Sequence, residues 1–247
     1  MTRRGLSRDR PGAISATAAN QPRLAGGVKI CGLQDERTAI AAVEAGATML
    51  GLIFATSRRQ MTINAARNVT DAVRSRASTT ITIVGVFVDA SSREVNRIVE
   101  AVGIDAVQLH GDESPAMLAD IAVPAIKAIR PKPGTSADEV ERQIATFQGV
   151  PNEPFAYLLD GYSDAGAGGV GIRADWTVAA SIAAHYSLIL AGGLTPENVS
   201  DAIGCVKPAA VDVSSGVESD GAKDGLKIAS FVDRGRRAFG ATTVVAS

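Results

Sequence analysis

The amino-acid sequence predicts an α/β protein that folds as a single (β/α)8 TIM barrel with a flexible N-terminal extension. Eight short apolar runs are each followed by a stretch with helical patterning, and polar residues stand where the runs end. No low-complexity linker divides residues 28–247. Alternating strands and helices form either a barrel or an open doubly wound sheet. Eight units favour the closed barrel, because open sheets of this kind usually have fewer strands.

The eight apolar runs have the composition of parallel strands. They are predicted to begin near Val28, Met49, Ile81, Asp105, Ala125, Phe155, Leu188 and Ala209. The runs at residues 50–54 and 81–88 are almost continuously apolar and do not alternate with polar residues. Parallel strands are covered on both faces and show this pattern. The sequence therefore predicts a barrel that is packed inside and covered by helices outside.

The stretches between the runs carry the start and stop signals of helices. Gly46 is placed to end the first helix in a left-handed conformation. After the seventh run, Thr195 is the predicted N-cap, followed by a proline at the first helical position and a glutamate in the first turn. Val199 and Ile203 then share one helical face.

Residues 1–27 differ in composition from the rest of the chain. Five arginines and one acidic residue stand among many Ala, Ser, Thr and Gly residues. No apolar stretch follows the arginines, which argues against a secretory signal. The composition resembles an organelle transit peptide, but we favour a disordered arm or an early start codon. We expect residues 1–27 to form a disordered extension and residues 28–247 to form the catalytic domain.

Charge and cysteine content limit the partners of the protein. The chain has 25 basic and 26 acidic residues, whereas binding to a nucleic-acid backbone needs a clustered excess of Lys and Arg. No apolar stretch approaches the roughly 20 residues that span a bilayer. Cys31 and Cys205 are far apart and lack metal-ligand spacing. We expect a cytoplasmic protein, monomeric or homodimeric, with no nucleic-acid, membrane or metal partner.

Two glycine-containing turns after the seventh and eighth strands predict a phosphate site. Their residues are Gly192, Gly193, Ser214, Ser215 and Gly216. Barrels often bind phosphate here through backbone N–H groups, and serine hydroxyls add donors. Tight βα geometry alone would explain one such turn, but two consecutive turns favour a phosphorylated small molecule. The turn at residues 168–171 is a third candidate.

Two reactive side chains stand at other strand ends. Cys31 shares a strand face with Lys29. Because an ammonium favours a thiolate, we expect Lys29 to lower the pKa of Cys31 and prepare it as a general base or nucleophile. The alternative for Cys31 is a small buried hydrophobe. Asp160 ends a strongly apolar strand, where desolvation raises the pKa of a carboxyl and suits it to donate a proton.

Three further residues are candidate substrate ligands at the same rim. His110 ends the fourth run on the face of Gln108, and Asp212 lies near the end of the eighth. Arg58 and Arg59 follow the second strand. Adjacent loop arginines usually form a solvated rim, but near a barrel mouth one guanidinium can bind a carboxylate through two hydrogen bonds. We select His110, Asp212 and one of these two arginines.

Several motifs follow one another along the chain in a familiar order. They cover residues 28–33, 45–47, 51–54, 107–111, 158–160, 191–199, 211–218 and 223–224. Through these motifs the chain resembles the phosphoribosylanthranilate isomerases of tryptophan biosynthesis. The resemblance implies an Amadori rearrangement of N-(5-phosphoribosyl)anthranilate to 1-(2-carboxyphenylamino)-1-deoxyribulose 5-phosphate, without metal or cofactor.

The resemblance also implies a role for each site residue. Asp160 would protonate the furanose ring oxygen and open the ring to a Schiff base, and Cys31 would then remove the C2′ proton. Arg59 matches the arginine that meets the anthranilate part, and the glycine and serine turns match the phosphate site. The chain departs from the family at residues 170–173, where the usual Thr/Ser-Gly-Lys-Thr is replaced.

Other functions fit the sequence less well. Indole-glycerol-phosphate synthase needs a lysine acid and glutamates at strand ends, and a sugar-phosphate epimerase needs His and Asp metal ligands. Neither set is present in the sequence. A catalytically silent barrel that only binds a phosphorylated ligand has no need of both Cys31 and Asp160. A thiol-redox protein would need a resolving cysteine near Cys31.

Overall fold

The eight predicted strands form a closed parallel barrel in chain order, which confirms the (β/α)8 TIM barrel. The computed structural model describes residue 22 and residues 24–77, 80–161 and 174–245, with side chains up to residue 241. The strands are β1 (Gly27–Cys31), β2 (Met49–Ile53), β3 (Thr82–Phe87), β4 (Ala106–Leu109), β5 (Ala125–Ile129), β6 (Ala156–Leu159), β7 (Leu188–Leu190) and β8 (Ala210–Val213). Because β1 pairs with both β2 and β8, the barrel has no open edge. Each strand begins within one residue of its predicted start.

Helices cover the outside of the barrel in the described part of the chain. They are α1 (Glu36–Ala45), α2 (Ile63–Arg76), α3 (Ser92–Val102), α4 (Ala137–Ala145), α5 (Trp176–Ala183), α6 (Val199–Val206) and α7 (Gly225–Val245). The helix expected after β4 is a short 3-10 helix, Pro115–Asp120. Of its residues only Leu118 is buried, so the segment lacks the apolar face that stabilises a longer helix. None of the helices described is long and apolar enough to cross a membrane.

One of the two predicted helix ends is confirmed and the other is wrong. Gly46 ends α1 with φ of 97°, in the left-handed conformation. The helix start predicted at Thr195 is wrong, because α6 begins only at Val199 with Asn198 as its N-cap, although the Thr195 Oγ1 does accept a hydrogen bond from the Glu197 N–H at 3.2 Å. The side chain of Asn198 accepts a hydrogen bond from the Thr195 N–H at 2.8 Å and donates one to the Gly193 carbonyl at 2.9 Å. Residues 195–198 therefore form a turn that supports the glycine loop after β7.

The apolar core has an outer and an inner part. The outer part packs between strands and helices and includes Val199 and Ile203, which lie on one buried face of α6 as predicted. The inner part fills the barrel below the rim and includes Leu24. Gly27 belongs to β1, so the barrel includes residues that precede the expected boundary at residue 28. Residues 1–21 and 23 lie outside the described residues, and the extension remains a prediction.

Candidate active site

A cavity of about 280 Å³ opens where the barrel strands end. It is lined by all ten residues selected from the sequence: Cys31, Arg59, His110, Asp160, Gly192, Gly193, Asp212, Ser214, Ser215 and Gly216. These residues lie at or just after the ends of six strands. They meet because the carboxyl ends of the strands of a parallel barrel share one rim. The turn at residues 168–171 lies outside the described residues.

Cys31 lies in the cavity wall above a buried ion pair. The Nζ atom of Lys29 is 3.0 Å from Oδ1 of Asp212, and Lys29 is fully buried. On the neighbouring strand β2, Gly51 pairs with Cys31. A Cβ atom at Gly51 would lie 2.7 Å from the Cys31 Sγ and 3.1 Å from the Lys29 Nζ. The missing side chain of Gly51 therefore makes room for the thiol and the ammonium together.

The pKa of Cys31 is raised above the ordinary thiol value of 9.0. Burial is the largest cause, and it outweighs the lowering effect of the Lys29 and Lys223 ammonium groups. The prediction that Lys29 lowers the pKa overall was wrong. Lys29 favours the thiolate, but Asp212 neutralises Lys29 and itself raises the pKa of Cys31. The thiol form therefore predominates at neutral pH.

Burial alone would lower the pKa of Lys29, yet its pKa is raised, because Asp212 and Cys31 both favour the charged ammonium. Lys29 therefore remains a cation beneath Cys31 throughout the neutral range.

Asp160 lies directly after β6 and contacts His110 across the rim. Its Oδ2 atom is 3.3 Å from the His110 Nε2, and its Oδ1 atom accepts a hydrogen bond from the Gly161 N–H at 2.9 Å. On the other side of the ring, the Gln108 Nε2 lies 2.7 Å from the His110 Nδ1. With the Gln108 amide as donor, Nδ1 of His110 is the acceptor, which assigns the ring proton to Nε2. Nε2 thus lies near the Asp160 carboxyl group, although among the described residues it has no hydrogen-bond partner.

Arg59 is buried at the cavity wall and is paired with Glu218, a residue to which the motif reasoning assigned no role. Its Nε and Nη2 atoms donate to the two carboxylate oxygens of Glu218, at 2.7 and 3.1 Å. Burial alone would raise the pKa of Glu218, but hydrogen bonds from Arg59 and Arg58 and the charge of Lys223 lower it to about 2. Glu218 is therefore ionised at every pH where the protein is expected to work.

The two predicted phosphate loops contact each other. Gly192 and Gly193 follow β7 with φ of 80° and 63°, a conformation that glycine adopts without strain. Gly216 approaches the β7 loop so closely that a Cβ atom there would overlap the carbonyl oxygen of Leu194. Lys223, in the hairpin of β9 (Glu218–Ser219) and β10 (Ala222–Lys223), donates to the Ser214 carbonyl at 2.8 Å. The loops thus form one continuous backbone cradle with a lysine beside it.

Among the described residues, no group of three or more His, Cys, Asp or Glu side chains is arranged to hold a metal ion.

Comparisons with known proteins identify the family. A family model described as N-(5′-phosphoribosyl)anthranilate (PRA) isomerase matches residues 28–234. The chain belongs to this family. A relative from Roseiflexus castenholzii, named N-(5′-phosphoribosyl)anthranilate isomerase, is 44% identical over 217 residues, covering 85% of this chain and 98% of the relative. A relative of the same name from Syntrophomonas wolfei is 41% identical over 207 residues, covering 83% of this chain and 95% of the relative. The resemblance noted in the motifs is confirmed.

Solved structures of phosphoribosylanthranilate isomerases share the fold. The crystal structure of the Thermotoga maritima protein matches with a TM-score of 0.73 at 32% identity, covering 85% of this chain and 98% of that one. Another structure is a complex with reduced 1-(o-carboxyphenylamino)-1-deoxyribulose 5-phosphate, at a TM-score of 0.70 and 32% identity, with the same shares of both chains covered. Members of the family are isomerases of the intramolecular oxidoreductase class that act in tryptophan biosynthesis.

The sequence motifs do not predict the residues of this isomerase site that position the predicted site residues. The sequence indicates only that Gln108 shares a strand face with His110, and it includes Glu218 and Lys223 only within family motifs. Their signal was weak, because a single Gln, Glu or Lys in a loop does not indicate a partner. The sequence predicts Lys29 as a neighbour of Cys31, but it does not predict the pairing of Lys29 with Asp212.

Proposed function

We propose that the chain catalyses the Amadori rearrangement of N-(5-phosphoribosyl)anthranilate, with Asp160 as general acid and Cys31 as general base. The observation that carries this proposal is that both side chains line one cavity together with the two glycine and serine loops. An aldose–ketose rearrangement needs one group that donates a proton and one that removes a proton from the same sugar. Strands β1 and β6 supply a thiol and a carboxyl to that cavity.

In the first step Asp160 protonates the ring oxygen of the ribose, and the bond from that oxygen to C1′ breaks. The nitrogen lone pair forms the Schiff base, and Asp160 is left as a carboxylate. The proximity of His110 supports this role, because its Nε2 atom lies 3.3 Å from the Asp160 Oδ2, where negative charge develops as the proton leaves. His110 is accordingly assigned to binding and orientation, with Gln108 holding the ring.

In the second step the Cys31 thiolate removes the C2′ proton, and the electron pair moves into the Schiff base to give an enolamine. The enolamine takes up a proton at C1′ and loses the C2′ hydroxyl proton, which gives the ketone. Thiolate and carboxylic acid are needed together, although in solution a carboxyl loses its proton at lower pH than a thiol. A minority protonation form therefore carries the reaction.

The rest of the cavity provides the binding groups. We assign the phosphate to Gly192, Gly193, Ser214, Ser215 and Gly216, whose loops form the backbone cradle. We assign the substrate carboxylate to Arg59, since a guanidinium binds carboxylates through two parallel hydrogen bonds. Asp212 lines the cavity while it holds Lys29, and we assign it to a sugar hydroxyl. No cofactor or metal enters this scheme.

The partner that this chemistry requires is a small phosphorylated molecule, and neither a nucleic acid nor a membrane is needed. We propose a monomer or homodimer in the cytoplasm. A matching crystal structure, 30% identical to this chain with a TM-score of 0.71, is of monomers generated from a dimeric phosphoribosylanthranilate isomerase of Thermotoga maritima.

The test is the decay of phosphoribosylanthranilate fluorescence, with the substrate generated in situ, with and without the purified chain. We expect turnover by the wild type and loss of about 10³-fold or more in Cys31→Ala and Asp160→Ala, since each removes one proton-transfer group. Cys205→Ala, which changes the exposed cysteine, serves as the control with normal turnover. Near-normal turnover by either site variant would remove that residue from the mechanism. No turnover by the wild type would favour a silent phosphate-binding barrel.

A further inference from the structure

Three cations from two loops share the carboxylate of Glu218. Arg58 and Arg59 come from the loop after β2, and Lys223 comes from the hairpin after β8. The Glu218 side chain is only 7% exposed. Its two oxygens therefore connect the arginine loop with the hairpin, and Lys223 in turn holds the Ser214 carbonyl in the phosphate cradle.

The pairing with Glu218 leaves a defined part of Arg59 available. A guanidinium has five N–H donors in a fixed plane. Glu218 accepts from Nε and from one N–H of Nη2, which leaves both N–H groups of Nη1 and the second of Nη2. Among the described residues, none accepts a hydrogen bond from Nη1 of Arg59. These remaining donors form the end fork of the guanidinium, which matches a second carboxylate.

The aliphatic part of the Arg59 side chain is held in place as well as its guanidinium group. It passes over Gly32, where an added Cβ atom would lie 2.6 Å from the Arg59 Cδ. With the stem held against Gly32 and the Nε edge held by Glu218, the guanidinium has one orientation at the cavity wall. A long side chain fixed before binding loses less conformational entropy when the ligand arrives.

We propose that Glu218 is a positioning residue that aims the end fork of Arg59 into the cavity and so makes the site selective for a substrate that carries a carboxylate. This inference rests on the proposed function, which places the anthranilate carboxylate at Arg59. It assigns specificity to Glu218, which pairs with Arg59 at the cavity wall and with Lys223 beside the Ser214 loop.

Removal of the Glu218 charge has two opposite effects on ligand affinity. The two effects can be distinguished by comparing a ligand that has a carboxylate with one that lacks it. Glu218→Gln increases the net positive charge of the cluster, which by itself strengthens the binding of every anion. The same change leaves one carbonyl oxygen in place of the two carboxylate oxygens that accepted hydrogen bonds from Arg59. The Nε edge of the guanidinium is then no longer held in one orientation. Only the second consequence depends on whether the ligand has a carboxylate.

The experiment measures the affinity of two ligands by calorimetry. One is reduced 1-(o-carboxyphenylamino)-1-deoxyribulose 5-phosphate, and the other is the same molecule without the aromatic carboxylate. For Glu218→Gln we expect the carboxylated ligand to bind about tenfold to hundredfold more weakly, the cost of a lost charged hydrogen bond. We expect the carboxylate-free ligand to bind as tightly as to the wild type or more tightly. In turnover, KM should rise by a larger factor than kcat falls.

Two further variants keep the test sharp. Glu94→Gln is the matched control, because Glu94 holds the Nε and Nη2 atoms of Arg97 in the same way on the exposed surface of α3. It should change neither affinity. Glu218→Asp keeps the charge but shortens the side chain, so it should also weaken the carboxylated ligand if position is what matters.

Equal weakening of both ligands in Glu218→Gln, or unchanged binding of both in Glu218→Gln and Glu218→Asp, would overturn the inference. Failure of the wild type to bind either ligand would instead contradict the proposed function, and the inference would fall with it.

Discussion

The Lys29 ammonium lies 3.0 Å from the Asp212 carboxylate at the floor of the cavity, directly beneath Cys31. The lysine favours the thiolate and the aspartate opposes it, so the pair moderates the basicity of Cys31 and does not simply activate it. Burial then decides the outcome and raises the pKa of the thiol. A thiol with a high pKa is a stronger base once it is ionised, which suits removal of a proton from carbon.

The raised pKa of Cys31 predicts the alkaline limb of the pH–rate profile. Between the pKa of the Asp160 carboxyl and the pKa of the Cys31 thiol, a rise in pH increases the thiolate fraction and decreases the carboxylic-acid fraction by the same factor, so the rate is constant. Above the thiol pKa the thiolate fraction no longer increases, while the carboxylic-acid fraction still falls, so the rate falls. Since that pKa is raised above 9.0, kcat/KM should fall only above about pH 9, giving a bell-shaped profile with a broad top.

This profile is checked by measuring kcat/KM across pH, with the ultraviolet absorbance of the thiolate followed in Cys205→Ser protein. Cys31 is then the only cysteine, since the chain has two. Thiolate formation centred well below pH 9 would contradict the assignment of the high pKa to Cys31.

Breaking the Lys29–Asp212 pair should destabilise the protein strongly. Lys29→Met removes the cation and leaves Asp212 unpaired in a nearly buried position. The expected loss is about 3–5 kcal/mol in the free energy of unfolding, measured by urea denaturation. In the double variant Lys29→Met/Asp212→Leu no charge is left uncompensated, so a large part of the stability should return. Additive losses in the double-mutant cycle would show that the two groups do not stabilise each other.

Glu218 should make the stability of the protein dependent on pH in the acid range. Its pKa is about 2 in the folded protein against an ordinary 4.5, so the folded state binds the proton more weakly than the unfolded state. The contribution is therefore complete above about pH 5 and is lost as the pH falls from about 4.5 towards 2. Between pH 6 and pH 3, Glu218→Gln should lose less stability than the wild type, by on the order of 1–3 kcal/mol. Parallel losses in the two proteins would contradict this prediction.

Gly51 should be intolerant of a side chain. In Gly51→Ala the new Cβ would lie 2.7 Å from the Cys31 Sγ and 3.0 Å from the Cys31 Cα, so strand β1 must shift. We expect a loss of stability of about 1–3 kcal/mol and a fall in kcat larger than the change in KM. Gly204→Ala, in α6, is the control, because a Cβ there meets no atom within 4 Å. It should stabilise the protein by up to about 1 kcal/mol, and equal effects of the two substitutions would refute the steric argument.

Much of the fold was predictable because the signals are local. Apolar runs indicated all eight strands, since a strand buried on both faces needs continuous apolar residues wherever it stands in the chain. The helix after β4 and the start of α6 were not predictable in the same way. Asn198 bonds to Thr195 and Gly193, and these side-chain bonds, not the propensity of Thr-Pro-Glu, determine where that helix begins.

The sequence by itself determined the barrel and, through it, the side of the molecule on which Cys31, Asp160 and the glycine loops lie. Only the tertiary structure decided that Arg59 pairs with Glu218 and Lys29 with Asp212, which are 159 and 183 positions apart in the chain. Such pairs depend on closure of the barrel and on packing at its rim, which no local pattern encodes. The direction of the Cys31 pKa shift was decided there too, because it is a balance between burial and charges contributed by distant strands.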